Sequence, residues 1–203
     1  MLDARSCCGV VLAGGKSRRM GTDKAGLMLG ESTFLEKILG SMEGIFPERL
    51  VAGRSQAMAG PAVYADTLFV PDVRKDSGPL GGIYTALLLC KSPWALFVSC
   101  DAPLMDREIL EKLCNAAEPD GRRIFLVATP SSPWGNFPLL VPKTYLRTVR
   151  RLLDSGERSV KSLVAAAMTT VVSLNASEAQ KIRSINTPSD YKDLLRNIHA
   201  LVA

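Results

Sequence analysis

Short apolar runs alternate with amphipathic stretches along most of the chain. The runs at 7–12 and 94–100 are largely apolar and are soon followed by glycine or aspartate, a pattern typical of strands buried in a parallel sheet. Residues 33–46 instead repeat apolar side chains at helical spacing, after Ser32 or Thr33 as the helix cap. Gly78-Pro79 begins a second predicted helix that runs to residue 90.

The remainder of the chain continues this alternation. Further strands are predicted at 50–52, 68–70, 124–129, 139–141 and 169–174. Further helices are predicted at 106–117, 143–153, 160–167 and 188–200. Strands that alternate with helices form a mostly parallel sheet covered on both faces. We therefore expect one α/β domain over residues 1–203, a three-layer αβα sandwich of the Rossmann-like type. Ligands bind such sheets beyond the carboxyl ends of the strands, here after Leu12, Val70 and Cys100.

Composition supports a globular protein of moderate size. The chain has 203 residues, of which 47% are hydrophobic, so intrinsic disorder is excluded. No apolar run approaches the ~18 residues of a membrane span, and the N-terminus lacks the pattern of a signal peptide. We therefore expect a cytoplasmic protein with no membrane partner. The five cysteines form no C-x-x-C pair and there is one histidine, so no structural zinc site is expected.

Positive charge is concentrated at the two ends of the chain. The formal net charge is +5, and residues 1–30 contain 5 basic against 2 acidic side chains. Such a charge is compatible with nucleic acid, a membrane surface or a small anionic substrate. Aromatic residues, only 6% of the chain, are not interleaved with the cations, which argues against a single-strand binding platform.

The loop after the first predicted strand combines glycine with cationic side chains. Residues 12–24 contain three glycines, four cations and one acid. Glycines let the backbone approach an anion, and Lys and Arg complement phosphate, so a polyphosphate is the ligand that needs both. The alternative is an ordinary exposed basic loop. A P-loop would require glycine where Val10 stands, and no dinucleotide fingerprint is present.

Two aspartates follow other predicted strands. Asp101 ends the strand at 94–100, and Ala102-Pro103 keeps the backbone extended beyond it. A carboxylate there would face the basic loop and could hold Mg²⁺, although a capping or turn aspartate is the alternative. Asp72 follows the strand at 68–70, and Gly81-Gly82 in the next helix indicates close approach of a ligand or tight helix–sheet packing.

The ordered motifs resemble one family. The string Leu12-Ala13-Gly14-Gly15-Lys16-Ser17-Arg18-Arg19-Met20-Gly21, followed by Asp23-Lys24, is similar to the signature of the molybdenum cofactor guanylyltransferases, the MobA proteins. The similarity continues at Asp72 with Gly78-Pro79-Leu80-Gly81-Gly82, at Cys100-Asp101-Ala102-Pro103, at Gly156-Glu157-Arg158 and at Ile185-Asn186-Thr187-Pro188.

The resemblance implies a nucleotidyltransferase fold and a reaction. The family transfers GMP from GTP to molybdenum-bound molybdopterin, with Mg²⁺ (or Mn²⁺), and releases pyrophosphate. It implies a nucleotide site at Leu12, Ala13, Gly14, Gly15, Lys24, Asp72 and Asp101, with Asp101 as the metal ligand. It implies catalytic roles for Arg18, Lys24 and Asp101, and pterin-side roles for Arg158 and Asn186. Partner proteins of the molybdoenzyme pathway that donate or accept the cofactor are also implied, and nucleic acid is not.

Two departures and several alternatives accompany this interpretation. Gly14-Gly15 resembles the guanine-using members, but residues 51–54 lack the asparagine that is frequent there, and residues 135–139 replace a His-Pro-Thr-like segment. Arg147, Arg150 and Arg151 lie on one side of a predicted helix, which is either a solvated face or a docking site for an acidic partner or the anionic pterin cofactor. A related cytidylyltransferase, a sugar-phosphate nucleotidyltransferase and a non-catalytic nucleic-acid-binding module are the alternative functions.

Overall fold

The computed structural model describes residues 1–15, 20–55, 66–130 and 132–201, without the side chains of 133–136 and 198–201. The strands are β1 Cys7–Leu12, β2 Met28–Leu29, β3 Ser32–Thr33, β4 Glu48–Ala52, β5 Thr67–Val70, β6 Trp94–Ser99, β7 Ile124–Thr129, β8 Ser132–Pro142 and β9 Thr169–Ser173. The α-helices are α1 Phe34–Met42, α2 Gly78–Leu89, α3 Arg107–Ala116, α4 Leu146–Asp154, α5 Val160–Ala165, α6 Ala176–Lys181 and α7 Pro188–Leu201. Short 3₁₀ turns lie at Ala4–Ser6, Lys24–Gly26 and Lys143–Tyr145.

Seven strands form one mixed sheet in the order β5-β4-β1-β6-β8-β7-β9. All pairs are parallel except those of β8, which runs antiparallel to both β6 and β7. The prediction of a mostly parallel sheet is therefore confirmed. β8 begins before the predicted strand at 139–141. The sequence pattern missed this first part because it contains Pro133, Gly135 and Pro138, and proline and glycine are depleted in strands.

Helices cover both faces of the sheet. On one face α1 and α3 pack through buried side chains that include Ile38 and Leu110. On the other face α2, α4 and α5 pack through a second core that includes Ile83, Leu153 and Leu163. The predicted three-layer αβα arrangement is confirmed. None of the described helices is both long and apolar enough to span a membrane.

The strand register aligns the ends of the central strands. Leu12 pairs with Ala52 of β4 on one side and with Ser99 of β6 on the other, and Ala52 pairs in turn with Val70 of β5. The four strands therefore end level at one edge of the sheet. The segments that follow them open into the same space, as expected for ligand sites of α/β sheets.

Several short elements differ from the prediction. The helix predicted over 33–46 ends at Met42, with Thr33 and Glu36 forming a capping box at its start, although Ile45 and Phe46 remain buried. The two-stranded hairpin β2–β3 and the six-residue α6 were not predicted. A small third core joins this hairpin to α7 through Leu29 and Leu194, so the C-terminal helix packs beside the loop that follows β1.

Candidate active site

A cavity of about 730 Å³ lies at the carboxyl ends of β1, β4, β5 and β6. Most of the residues singled out from the sequence line it: Leu12, Gly14, Gly15, Lys24, Asp72, Asp101, Arg158 and Asn186. Ala13 is buried and lines an adjoining cavity of about 410 Å³. Arg18, predicted as catalytic, and its neighbours Lys16, Ser17 and Arg19 lie outside the described residues.

The floor of the cavity joins three polar side chains from distant parts of the chain. The ammonium of Lys24 lies 3.2 Å from Oδ2 of Asp101 and donates to Oδ1 of Asn186 at 2.7 Å. The side chains of Lys24 and Asp101 are only 13% and 16% exposed, so their interaction is little screened by solvent. The predicted metal ligand and one of the predicted pterin-side residues therefore contact the same cation.

Main-chain hydrogen bonds hold Asp101 in place. The Cys100 N–H donates to the Leu12 carbonyl at 3.1 Å, which ties the end of β6 to β1. The Asp101 carbonyl accepts from the Ile185 N–H at 2.8 Å and so draws the segment carrying Asn186 to the site. Oδ1 of Asp101 is buried and has no hydrogen-bond partner among the described residues. The carboxylate is thus fixed, with one oxygen unsatisfied.

The position of Asn186 depends on a residue that the sequence analysis missed. Oδ2 of Asp190 accepts from the backbone N–H groups of Asn186 at 2.9 Å and Thr187 at 2.8 Å. These hydrogen bonds hold the pKa of Asp190 below its usual value. A sequence signal for this role of Asp190 was present, since Thr187 and Asp190 have the spacing of a capping box at the start of α7.

Asp72 occupies a confined place between two glycines. A Cβ at Gly14 would lie 3.1 Å from Oδ2 of Asp72, and a Cβ at Gly82 would lie 2.8 Å from the Leu12 side chain. The tight packing considered for Gly82 is therefore present, and Gly82 also lines the cavity. Burial raises the pKa of Asp72, and its buried Oδ1 has no partner in the described part of the chain.

Gly53 and Arg54 form the edge of the site after β4. Gly53 has φ +89°, and a Cβ there would lie 2.3 Å from the Cα of Gly14, so the two backbones touch. Arg54 is buried, with 6% exposure, and its guanidinium pairs with Asp23. The sequence analysis noted only that this segment lacks an asparagine. It missed the pairing of Arg54 with Asp23, because no local pattern indicates a partner thirty-one positions away.

Arg158 reaches the cavity from the second face of the sheet. Its carbonyl accepts from the Leu80 N–H at 3.2 Å, and a Cβ at Gly78 would lie 2.8 Å from that oxygen. The turn after α4 is therefore packed on the start of α2, with the exposed Arg158 side chain at the cavity wall. Arg147 and Arg151 of α4 are exposed, and docking at that helix stays a prediction.

A further polar cavity of about 410 Å³ adjoins the first one and shares Ser99 and Phe137 with it. Its other lining residues include Thr129, Ser132, Gln180, Arg183 and Ser184. Most of its polar side chains are hydroxyls or an amide, they alternate with apolar ones, and the Arg183 guanidinium lies 3.9 Å from Asp190. The lining suits a neutral heterocycle rich in hydrogen-bonding groups better than it suits a second triphosphate.

The residues present fit a Mg²⁺-type ion rather than a protein-only metal cage. No cluster of three or more His, Cys, Asp or Glu side chains occurs among the described residues. Mg²⁺ is commonly held by one or two carboxylates together with substrate phosphates and water. The unsatisfied Oδ1 of Asp101 and the amide oxygen of Asn186 could supply the protein share of such a set.

Known proteins of one family are similar to this chain over most of its length. Residues 9–180 match the family model of the MobA-like NTP transferase domain. The molybdenum cofactor guanylyltransferase of Pseudomonas aeruginosa is 31% identical over 190 residues, 90% of this chain and 91% of that relative. Molybdopterin-guanine dinucleotide biosynthesis protein A of Archaeoglobus fulgidus superposes with a TM-score of 0.77 at 22% identity, over 95% of this chain and 99% of that one.

A Mycobacterium tuberculosis protein solved in complex with manganese shares the fold. Its TM-score is 0.68 at 18% identity, over 94% of this chain and 98% of that one. The family model, which covers most of the sequence, settles the relationship. The chain belongs to the family of MobA-like NTP transferase domains.

Proposed function

We propose that the protein transfers GMP from GTP to the phosphate of molybdenum-bound molybdopterin, which forms the molybdopterin guanine dinucleotide and releases pyrophosphate. The observation that carries the proposal is the meeting of Lys24, Asp101 and Asn186 on the floor of the main cavity. The relatives named as molybdenum cofactor guanylyltransferases support the choice of substrates.

The donor nucleotide is proposed to bind along the end of β1. The guanine nucleotide would lie against Leu12, Ala13, Gly14 and Gly15. Asp72, in the loop after β5, would also contact it. Gly14 and Gly53 have no side chains at the place where their backbones touch, so no side chain projects into the cavity there. Lys24 would bind the phosphates, and Arg18 is proposed to add a second cation there.

The chemistry requires no nucleophile from the protein. An oxygen of the acceptor phosphate attacks the α-phosphorus of GTP, the bond to the β-phosphate breaks, and pyrophosphate leaves. Both reactants are anionic, so catalysis consists of positioning and charge compensation by groups fixed in advance. Lys24 supplies one such charge, and its ammonium is already held at the site by Asp101 and Asn186.

A divalent ion is proposed to complete the charge compensation. Asp101, with the amide oxygen of Asn186, would hold Mg²⁺ or Mn²⁺ together with the phosphates. When bound, the ion neutralises charge that develops on the phosphate oxygens. The unsatisfied buried oxygen of Asp101 supports this role, since an orphaned buried carboxylate oxygen is costly without a partner.

The acceptor is proposed to bind on the other side of Asp101. The polar cavity that shares Ser99 and Phe137 with the main one would hold the pterin, and Asn186 and Arg158 would lie near its phosphate. Proteins that donate molybdenum-bound molybdopterin or accept the product are proposed partners, and the exposed arginines of α4 are a place where an acidic one could dock.

A pyrophosphate-release assay tests the proposal. Each of the four NTPs is supplied with Mg²⁺, with and without molybdenum-bound molybdopterin, and with a panel of sugar phosphates as alternative acceptors. We expect release only with GTP and molybdopterin together. Release with CTP instead would indicate a cytidylyltransferase, and release with a sugar phosphate would indicate a different acceptor. Salt-dependent nucleic-acid binding without any turnover would contradict the proposal as a whole.

A further inference from the structure

Arg54 is a buried cation whose partner lies in the loop after β1. The backbone N–H groups of Gly53 and Arg54 both donate to the Val70 carbonyl, at 2.9 and 3.1 Å, so Arg54 is anchored where β4 and β5 end. From there its guanidinium pairs with Oδ2 of Asp23. The pair therefore connects the rigid end of the sheet to the segment that contains Lys24.

Asp23 uses its second oxygen to shape the next turn. Oδ1 accepts from the Ala25 N–H at 3.2 Å and caps the 3₁₀ turn Lys24–Gly26, which the Lys24 carbonyl closes by accepting from the Leu27 N–H at 3.1 Å. Lys24 is the first residue of that turn, and its ammonium lies on the cavity floor. A movement of Asp23 would thus displace Lys24 directly.

Stability alone gives no reason for this ion pair. Arg54 is 6% exposed while Asp23 is 51% exposed, so a buried guanidinium is desolvated for a partner that stays in water. The Nε of Arg54 is also buried without a hydrogen-bond partner in the described chain. An apolar side chain could fill the same space without either penalty, so the ion pair adds little stability, and its consequence for the site lies in the position that it gives Asp23.

We infer that Arg54 is a positioning residue for nucleotide binding, which fixes Lys24 toward the triphosphate by holding Asp23. The inference rests on the proposed function, because it takes Lys24 as the phosphate-binding cation. Arg54 lines the adjoining cavity beside Ala13 and Gly14, but the role inferred for it acts through Asp23 and Lys24. By holding Asp23, Arg54 would fix the ammonium of Lys24 before the triphosphate binds, so that less conformational entropy is lost on binding.

The strand that precedes Arg54 offers a matched control. Arg49 near the start of β4 is equally buried, at 6%, and forms an ion pair with an exposed aspartate, Asp66, at 3.9 Å. Arg49→Gln thus removes a comparable buried cation from β4 itself, at the end away from the cavity. Any general effect of weakening β4 will appear in both variants.

The test measures the affinity for GTP and for guanosine by calorimetry, with thermal unfolding as the measure of stability. Arg54→Gln and Asp23→Asn should each weaken GTP binding about tenfold, the effect of one charge-assisted hydrogen bond, and change guanosine binding less than about twofold. Asp23→Asn keeps the capping oxygen on an exposed side chain, so it provides the test if Arg54→Gln fails to fold. Arg49→Gln should leave both affinities unchanged.

The double variants separate positioning from a purely structural role. In the Lys24→Met background, Arg54→Gln should weaken GTP binding by less than about twofold further, because the ammonium that it positions is gone. A full additional loss in that background, or equal losses for Arg54→Gln and Arg49→Gln, would overturn the inference while leaving the proposed function intact. Failure of the unsubstituted protein to bind GTP would overturn both.

Discussion

The ammonium of Lys24 lies 3.2 Å from Oδ2 of Asp101, although the two residues are 77 positions apart in the sequence. Lys24 comes from the loop after β1, and Asp101 comes directly after β6. The parallel pairing of Leu12 with Ser99 brings the two segments together. The contact links the proposed phosphate-binding cation to the proposed metal carboxylate, so each is in position before substrate arrives.

Asp101→Asn should abolish turnover while leaving the fold intact. The amide keeps the shape of the side chain but removes the negative charge that would hold the divalent ion. We expect kcat to fall at least about a hundredfold, as when a preorganised electrostatic group is lost from an active site. Steady-state pyrophosphate release measures the effect, and circular dichroism checks the fold. Full activity in this variant would show that Asp101 is not the metal carboxylate.

Gly53→Ala should destabilise the protein and distort the nucleotide wall. Its φ of +89° disfavours any side chain, and the added Cβ would lie 2.3 Å from the Cα of Gly14. We expect a loss of about 2 kcal/mol or more in the free energy of unfolding, measured by urea denaturation. Gly15→Ala is the matched control for stability, since no atom of the described residues, its chain neighbours aside, lies within 4 Å of its Cβ position. Equal stabilities of the two variants would refute the close contact.

Asp190→Asn should lower stability more at neutral pH than in acid. Hydrogen bonds from the Asn186 backbone, and then those of Thr187, lower the pKa of Asp190 in the folded state. Its contribution is therefore complete above the unfolded-state pKa and is lost as the pH falls through the folded-state value. We expect a difference of about 1 kcal/mol at pH 7 that is smaller at pH 3.

Urea denaturation at the two pH values measures this difference. Asp193→Asn is the control, because Asp193 lies on the same helix and forms only a surface pair with Arg196 at 3.6 Å. It should change stability little at either pH. A loss for Asp190→Asn that is the same at pH 7 and pH 3 would contradict the assigned cause.

The cysteines should be chemically inert in the folded protein. Burial, followed by the adjacent Asp101 carboxylate, raises the pKa of the Cys100 thiol to about 12. At pH 8 only about one thiol in ten thousand would be ionised. Iodoacetamide should therefore leave activity unchanged and label the protein only in urea. Rapid labelling of Cys100 with loss of activity would argue for a role that the electrostatic mechanism does not include.

The elements that dominate the site were predictable because their signals are local. β1 and β7 have the bounds expected from their apolar runs, and β6 differs by one residue. The loop with Lys24 follows β1, and Asp101 follows β6, which is parallel to β1. The proximity of the loop after β1 to Asp101 could therefore also be anticipated. The predicted residues 16–19 remain untested, since they lie outside the described residues.

The parts that escaped prediction depend on contacts distant in sequence or on very short elements. The pairing of Arg54 with Asp23 leaves no trace in either local sequence. The strands β2 and β3 have two residues each, too few for any periodicity. α6 is begun by a capping box at Asn175, but its six residues carry no apolar stripe. The antiparallel direction of β8 is set by its connection and not by its composition.

The central claim is that the α-phosphate of GTP is transferred to the pterin. The most direct measurement uses GTP labelled either at the α- or at the γ-phosphate, with molybdenum-bound molybdopterin and Mg²⁺. We expect the α-label to enter the dinucleotide product and the γ-label to leave in pyrophosphate. Recovery of the γ-label on the pterin, or of no label on it at all, would contradict the account.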